Sequence, residues 1–242
     1  LHQLPVTNYQ LPITSYQLLF TNYNTMVDLS IKVNGEALTL MPERAAFWPA
    51  QRTLFVADVH VGKAAAFRSL SVAVPDGNLA DDLARLSRAI ERTDAQDVIL
   101  LGDVLHAKHG RAEHVMQQVA TWREMHSHRH FVMVRGNHDL RAGDPPDDWR
   151  MECVDAPAML APFVLCHEPC ESNAGTVLCG HLHPAFRLAG RGGMRATLPC
   201  FVVGEQRIIL PAFGSFTGNA LVRPAAGERI AVIADDEVIS IG

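Results

Sequence analysis

Three apolar runs, Thr53–Ala57, Val98–Leu101 and Phe131–Val134, each end on a short polar turn, and two stretches of helical periodicity lie between them. Asp76–Arg92 carries Leu79, Leu83, Leu86 and Ile90, and Arg111–His126 carries Val115, Val119 and Trp122. Apolar residues three and four apart line one side of a helix. This β-α-β-α-β order leaves few folds open, because parallel strands need crossover segments; it predicts helices packed on a largely parallel sheet. After about Met151 the pattern changes. Phe163–Cys166, Thr176–Cys179, Leu198–Val203, Arg207–Leu210, Ile230–Ala234 and Val238–Ile241 follow without long helical spacers. They predict a second, mixed or antiparallel sheet. Upstream, Asn34-Gly35 between Leu29–Val33 and Glu36–Leu40 predicts a hairpin. The expected fold class is α/β: a two-sheet β-sandwich flanked by helices, four layers in all. With 48% hydrophobic residues and no linker-like stretch between the halves, residues 26–242 read as one domain.

The first 25 residues are of another kind. LPVTNYQ at 4–10, LPITSYQ at 11–17 and LLFTNYN at 18–24 form a tandem seven-residue repeat that holds all three tyrosines, Tyr9, Tyr16 and Tyr23. No charged residue precedes Asp28. A signal peptide would have a basic start and a continuous apolar stretch, and Pro5 and Pro12 break any helical seam. The expectation is a repetitive, disordered and non-native extension, with Met26 as the native start.

The polar turns carry the chemistry. Asp58-Val59-His60, Gly102-Asp103, Gly136-Asn137-His138-Asp139, His167 and Gly180-His181-Leu182-His183 hold Asp, Asn or His, and most follow an apolar run. Five of the twelve histidines fall in them. Carboxylates, an amide oxygen and imidazoles are donors for divalent Zn, Mn or Fe. On an extended segment Asp58 and His60 would share a face, as would His181 and His183. Asp103 has two oxygens and can bridge two cations. Two such ions leave about +2 beside Asp58 and Asp103, which suits a phosphate ester and lets a chain of net charge -5 act on an anion. Taken singly the residues have plainer readings. Asp58 and Asp103 suit helix caps or turns, Asn137 follows glycine in a turn dipeptide, and His167 could be a buried core histidine. Cys166, His167 and Cys170 could form part of a structural zinc site, although no second Cys/His pair has ribbon spacing. His126, His128 and His130 read as a solvated turn, Gly62-Lys63 lacks the rest of a phosphate loop, and Ser215 is outside a nucleophile elbow. The five cysteines are odd in number and form no CxxC pair, so a reduced, cytoplasmic protein is expected. No apolar run reaches the ~18 residues of a membrane span.

In their order, these five motifs resemble the calcineurin-like metallophosphoesterase superfamily. The resemblance implies a first metal on Asp58, His60, Asp103 and His183, and a second on Asp103, Asn137, His167 and His181. It implies that His138 protonates the leaving oxygen or stabilises the transition state, and that Asp139 orients His138. Over Leu38 to Gly242 the chain is most similar to the ligase-associated DNA damage response endonucleases, also called PdeM. The marks are Leu40–Ala45, Val56–Ala64, Val134–Asp139, Leu165–Pro169, Gly180–Pro184 and Leu210–Gly218. What this implies is a phosphodiesterase or endonuclease acting on DNA in repair through water activated by two divalent ions, Mn2+ first, with Fe2+ or Zn2+ as alternatives. A DNA ligase, a helicase and a second nuclease are the implied associates.

Lys63, Arg187, Arg191 and Arg195 are candidates for substrate phosphate, and Lys108 and Arg111 could join them on a nucleic-acid backbone; the plain reading is solvated loop charge. Two other functions fit the motifs. One is a small-molecule phosphodiesterase or phosphomonoesterase with the same dinuclear site. The other is a metal-bound, non-catalytic scaffold in a repair assembly, which has no use for a proton donor such as His138.

Overall fold

A computed structural model describes residues 26–74, 78–189 and 195–241. The amino-terminal repeat, and with it the expectation of disorder, lies outside the described residues. The first sheet opens with the hairpin of β1 (Leu29–Val33) and β2 (Glu36–Met41), whose turn residues Asn34 and Gly35 both have positive φ, 50° and 84°. That is the twist a two-residue hairpin needs. β3 (Ala45–Trp48) and β4 (Thr53–Val56) continue antiparallel. The chain then adds β5 (Asp97–Leu101), β6 (His130–Val134) and β7 (Glu152–Val154), each parallel to the strand before it. The crossovers hold α1 (Lys63–Ser69), α2 (Asn78–Thr93), α3 (Glu113–Met125) and a single turn, α4 (Asp139–Ala142).

The inner parallel strands β4 and β5, and β6 beyond its first residue, are largely buried on both faces, as crossover packing requires. Alternate residues divide between two cores. Leu54, Val56, Val98, Leu100, Phe131 and Met133 pack with Leu83, Leu86 and Ile90 of α2 and Val115, Val119 and Trp122 of α3. Phe55, Ile99, Leu101 and Val134 face the other way and meet the second sheet at Phe163, Leu165, Leu178, Phe201 and Leu210. Phe163 is fully buried, edge-on to Trp48 with ring centroids 4.9 Å apart.

The second sheet comprises β8 (Ala158–Leu160), β9 (Phe163–Leu165), β10 (Thr176–Cys179), β11 (Pro184–Ala189), β12 (Arg195–Val203), β13 (Arg207–Ile209), β14 (Ala220–Leu221), β15 (Arg229–Ala234) and β16 (Glu237–Ile241). It is mixed: β10 runs parallel to β9 and β13, while β12 is antiparallel to β11, β13 and β15. The change of sheet falls after Val154 and not at Met151, because β7 pairs with β6. All four helices cover the first sheet. Among the described residues no helix covers the outer face of the second sheet; Phe186, Leu188, Leu198 and Val222 pack there against Val177, Cys179, Val202 and Val232. No described helix is long and apolar enough to cross a membrane.

Candidate metal centre

Each of the five polar segments leaves the carboxyl end of a strand: β4 for Asp58 and His60, β5 for Asp103, β6 for Asn137–Asp139, β9 for His167, and β10 for His181 and His183. Parallel neighbours bring these ends to one edge, where open α/β sheets place their ligands. An isolated bridge, Ala57 to Ala212, ties the two sheets together there.

The local backbone departs from the extended form expected for Asp58–His60 and His181–His183. Asp58, His60, Asp103, His181 and His183 all have positive φ, between 46° and 68°. Left-handed non-glycine residues cost free energy and persist only where surroundings fix them. Here hydrogen bonds fix them. His60 N–H donates to the Asp103 carbonyl at 2.8 Å, and His181 N–H to Asp58 Oδ2 at 2.8 Å. The result also differs from a shared face, for His181 and His183 enter different groups.

Asp58, His60 and His183 form one group, and Asp103, His167 and His181 another; within each, the ligand atoms lie within 4.8 Å of one another. In the first, His60 Nε2 is 3.3 Å from His183 Nε2, and His183 Nε2 is 3.5 Å from Asp58 Oδ1. In the second, His167 Nε2 is 3.3 Å from Asp103 Oδ1, 3.1 Å from His181 Nδ1 and 3.0 Å from Asn137 Oδ1. Asp103 reaches both groups, since its other oxygen, Oδ2, is 3.8 Å from His60 Nε2. Gly102 and Gly136 make this closeness possible, because a Cβ at either would collide with His167 or Asp103.

The donors fit divalent cations. His167 Nδ1 donates to the Leu101 carbonyl at 3.1 Å and His183 Nδ1 to the Gly218 carbonyl at 3.0 Å. Each bond leaves Nε2 as a lone pair aimed into its group, the usual arrangement for ligating imidazoles. Asp58 Oδ1 is buried without a hydrogen-bond partner, a costly state that a cation would relieve. With no cation counted, the charges resolve through protons. Burial opposes a charged His167, yet the hydrogen bond and charge of Asp103, with Asp58, push it up to about 9. Burial likewise opposes ionised Asp103, but His167 and the His138 N–H bring it down to about 2. Burial holds His60 at about 2, so it is a neutral donor.

His138 belongs to neither of these two, but forms a third group with His60 and His106, all imidazole, whose ring nitrogens also lie within 4.8 Å of one another. Its Nδ1 donates to the His106 carbonyl at 2.7 Å, and its Nε2 faces Asp103 Oδ2 at 3.9 Å. Asp139, expected to orient this ring, directs its carboxylate to backbone groups. Its buried carboxylate accepts N–H groups from Val104 (3.3 Å), Leu105 (2.7 Å) and Gly136 (3.0 Å), and so clamps the Asp103 loop to the Asn137 loop. Burial raises the Asp139 pKa against those three bonds. His106 was missed from sequence. It stacks on His138 at 4.8 Å and burial lowers it to about 4. Its one signal is its place three residues after Asp103.

Lys63 starts α1, half-buried, with Asp103 and Asp58 near enough to oppose the lowering of its pKa by burial. Arg187 and Arg195 are exposed on the β11–β12 hairpin, outside both groups. Arg191 lies outside the described residues. Arg111 is committed to the fold, donating to the carbonyls of Ala142, Gly143 and Asp144. Cys166 and Cys170 are joined as a disulfide across the His167 turn, whereas Cys153, Cys179 and Cys200 are free. No CxxC spacing announced this pair; the turn at Pro169 folds together two sulfurs four residues apart. The bridge also removes those two sulfurs from a structural zinc site.

Two sheets with flanking helices and Asp, Asn and His gathered at their common edge define a metallophosphoesterase, and the chain belongs to the calcineurin-like phosphoesterase family, whose model matches residues 51–183. It is a phosphoric ester hydrolase. Among solved structures, the crystal structure of the Pseudomonas putida nuclease MPE is similar at 42% identity and a TM-score of 0.77, over 88% of this chain and 100% of that one. The E. coli phosphoesterase Yfce shares 17% identity over 78% of this chain and 97% of its own, with a TM-score of 0.34, too low to bear on fold or activity. No curated protein sequence matches the chain.

Proposed function

We propose that this hydrolase cuts phosphodiester bonds in DNA with two divalent cations, Mn2+ first among the candidates. The observation that carries the reading is Asp103, whose two oxygens face two separate donor groups. Asp58, His60, Asp103 and His183 would hold one ion, and Asp103, Asn137, His167 and His181 the other. Bound there, the pair would lower the pKa of a water and offset the charge of the phosphate.

The chain's own residues do the rest. His138 is the proton carrier at the leaving oxygen, because its Nδ1 is spent on the His106 carbonyl and its Nε2 turns toward Asp103. Asp139 holds the loops that place His138 and Asn137, acting through the backbone. Lys63 adds positive charge at the rim of the centre. Arg187 and Arg195, exposed and without a carboxylate partner among the described residues, would contact the nucleic-acid backbone further out, with Arg191 between them in sequence. The likeness to a nuclease supports a nucleic-acid substrate. A repair setting, with a DNA ligase, a helicase and a second nuclease, belongs to the same reading.

The test crosses a panel of Mn2+, Fe2+, Zn2+ and Mg2+ with single-stranded DNA, duplex DNA and small chromogenic mono- and diesters. Metal-dependent DNA cleavage is the expected result. Turnover of small esters alone would transfer the reading to a small-molecule phosphodiesterase or phosphomonoesterase.

A further inference from the structure

The stretch from Leu210 to Gly218 supplies no candidate ligand, yet it passes from the second sheet to the first and back beside the metal centre. It leaves β13 with the Leu210 N–H on the Cys179 carbonyl at 2.8 Å. At the end of β4, Ala212 bridges Ala57, Phe213 N–H donates to the Ala57 carbonyl at 2.8 Å, and Gly214 N–H donates to the Asp58 carbonyl at 3.1 Å. Only glycine fits at 214, because a Cβ would stand 2.4 Å from the Val59 carbonyl oxygen. Thr217 Oγ1 closes the turn on the Gly214 carbonyl at 2.6 Å. The stretch regains the second sheet at Gly218, whose carbonyl takes the His183 Nδ1–H at 3.0 Å. It therefore braces Asp58 and His183, two of the three members of the first donor group. Among the described residues, none of its hydrogen bonds reaches Asp103, Asn137, His167 or His181.

What fixes this brace is a buried carboxylate on α2. The two oxygens of Asp82 accept the Ser215 N–H at 3.1 and 3.0 Å, and Oδ2 also accepts the Ser215 hydroxyl at 3.3 Å. Arg85, one turn on, holds Asp82 at 2.7 Å, donates to the Phe213 carbonyl, and lies 4.5 Å over the Phe213 ring. A buried carboxylate is costly unless it is paired and hydrogen-bonded. Arg85 pairs it and Ser215 bonds it, so its burial locks the brace to α2. Partners behind a ligating imidazole fix its orientation, and their loss typically costs about 10–100-fold in metal affinity. We propose that Asp82 is a positioning residue for the first ion: it fixes Ser215, and through the brace it sets the Gly218 carbonyl that aims His183. The inference rests on the two-cation reading and adds to it a control of one ion's affinity from α2.

The test titrates Mn2+ into the metal-free full chain by calorimetry and follows turnover of bis-p-nitrophenyl phosphate against Mn2+ concentration. In Asp82→Ala one ion is expected to weaken about tenfold while the other binds as in the parent, so that half-maximal turnover needs about tenfold more Mn2+ and excess Mn2+ makes good the loss. Asp82→Asn keeps an oxygen for the Ser215 N–H and should recover most of that affinity. In a His183→Ala background, Asp82→Ala should weaken no ion further, because the ring it acts through is gone. Thr217→Val removes only the bond across the turn; it should weaken the same ion several-fold, and it decides the matter if Asp82→Ala does not fold. Unmoved affinities, two ions weakened alike, an asparagine variant no better than alanine, or a full further loss in the His183→Ala background would each overturn the role. A parent that hydrolyses the diester with a single bound ion overturns the two-cation reading. In that case a weakened ion in Asp82→Ala still supports the role of Asp82, and an unmoved one overturns it.

Discussion

Asp58, His60, Asp103 and Asn137 leave the first sheet at the ends of β4, β5 and β6, whereas His167, His181 and His183 leave the second sheet after β9 and β10. The first sheet thus brings both carboxylates, the amide and one imidazole, and the second brings imidazoles alone. The first is helix-backed and parallel where it matters; the second is mixed, with no helix on its outer face among the described residues. Yet neither owns a donor group. Asp58 and His60 meet His183, and Asp103 meets His167 and His181. Carboxylates from one sheet against imidazoles from the other make the centre a property of the interface, so anything that parts the sheets dissolves it.

The sharpest way to break this division is Asp103→Ala. If that carboxylate joins the two groups, metal content falls at both and turnover drops by about 10³-fold or more, equivalent to several kcal/mol of lost charge stabilisation. Elemental analysis of the dialysed protein reads the first and a nuclease assay the second. Retention of one full equivalent of metal would show that the imidazole-rich group stands without the first sheet's carboxylate. His138→Ala removes a first-sheet residue that belongs to neither of those two groups. Metal content should stay at the parent level while kcat falls about 10²–10⁴-fold; normal turnover would strip His138 of its role.

Phe163→Ala tests the interface itself. The ring is fully buried against Trp48 and Phe55, between the sheets. Truncation should cost about 3–5 kcal/mol, read as one cooperative shift of the denaturant midpoint by probes in both sheets. Two separated transitions would mean that the halves fold apart. The smallest effect is expected far from the centre, behind the first sheet. His126 is buried, its Nε2 2.9 Å from Ser87 Oγ, and burial lowers its pKa. The unfolded chain therefore takes up a proton that the native state refuses. The contribution of His126 is fully present above the unfolded pKa of about 6.5 and is lost as pH falls below it, by at most about 1.4 kcal/mol per pH unit. His126→Gln should flatten denaturation midpoints over that acid range; an unchanged slope would exclude this group.

Much of this was readable in one dimension. The Asn34-Gly35 hairpin, α2 and α3, and the strands that end at Asp58 and Asp103 follow from periodicity and turn chemistry, which act over a few residues. Other features depend on partners far along the chain. β7 looks like the start of the second sheet until its pairing with β6 is known. Arg111 reads as a free cation until the last carbonyl of α4 and the two after it take it. Asp139 reads as a partner for the His138 ring because the two are adjacent, whereas three backbone N–H groups claim its carboxylate. His106 carries no motif and matters only through where its ring stacks and what its carbonyl accepts.

The linear chain determined which side chains could bind cations and that each would follow an apolar strand, because donor chemistry and hydrophobic alternation are local properties. Tertiary structure alone decided how those donors divide into two groups and that Asp103 turns one oxygen to each. These depend on left-handed backbone at Asp58, His60, Asp103, His181 and His183, a conformation that local preference disfavours and that only long-range hydrogen bonds and packing hold in place.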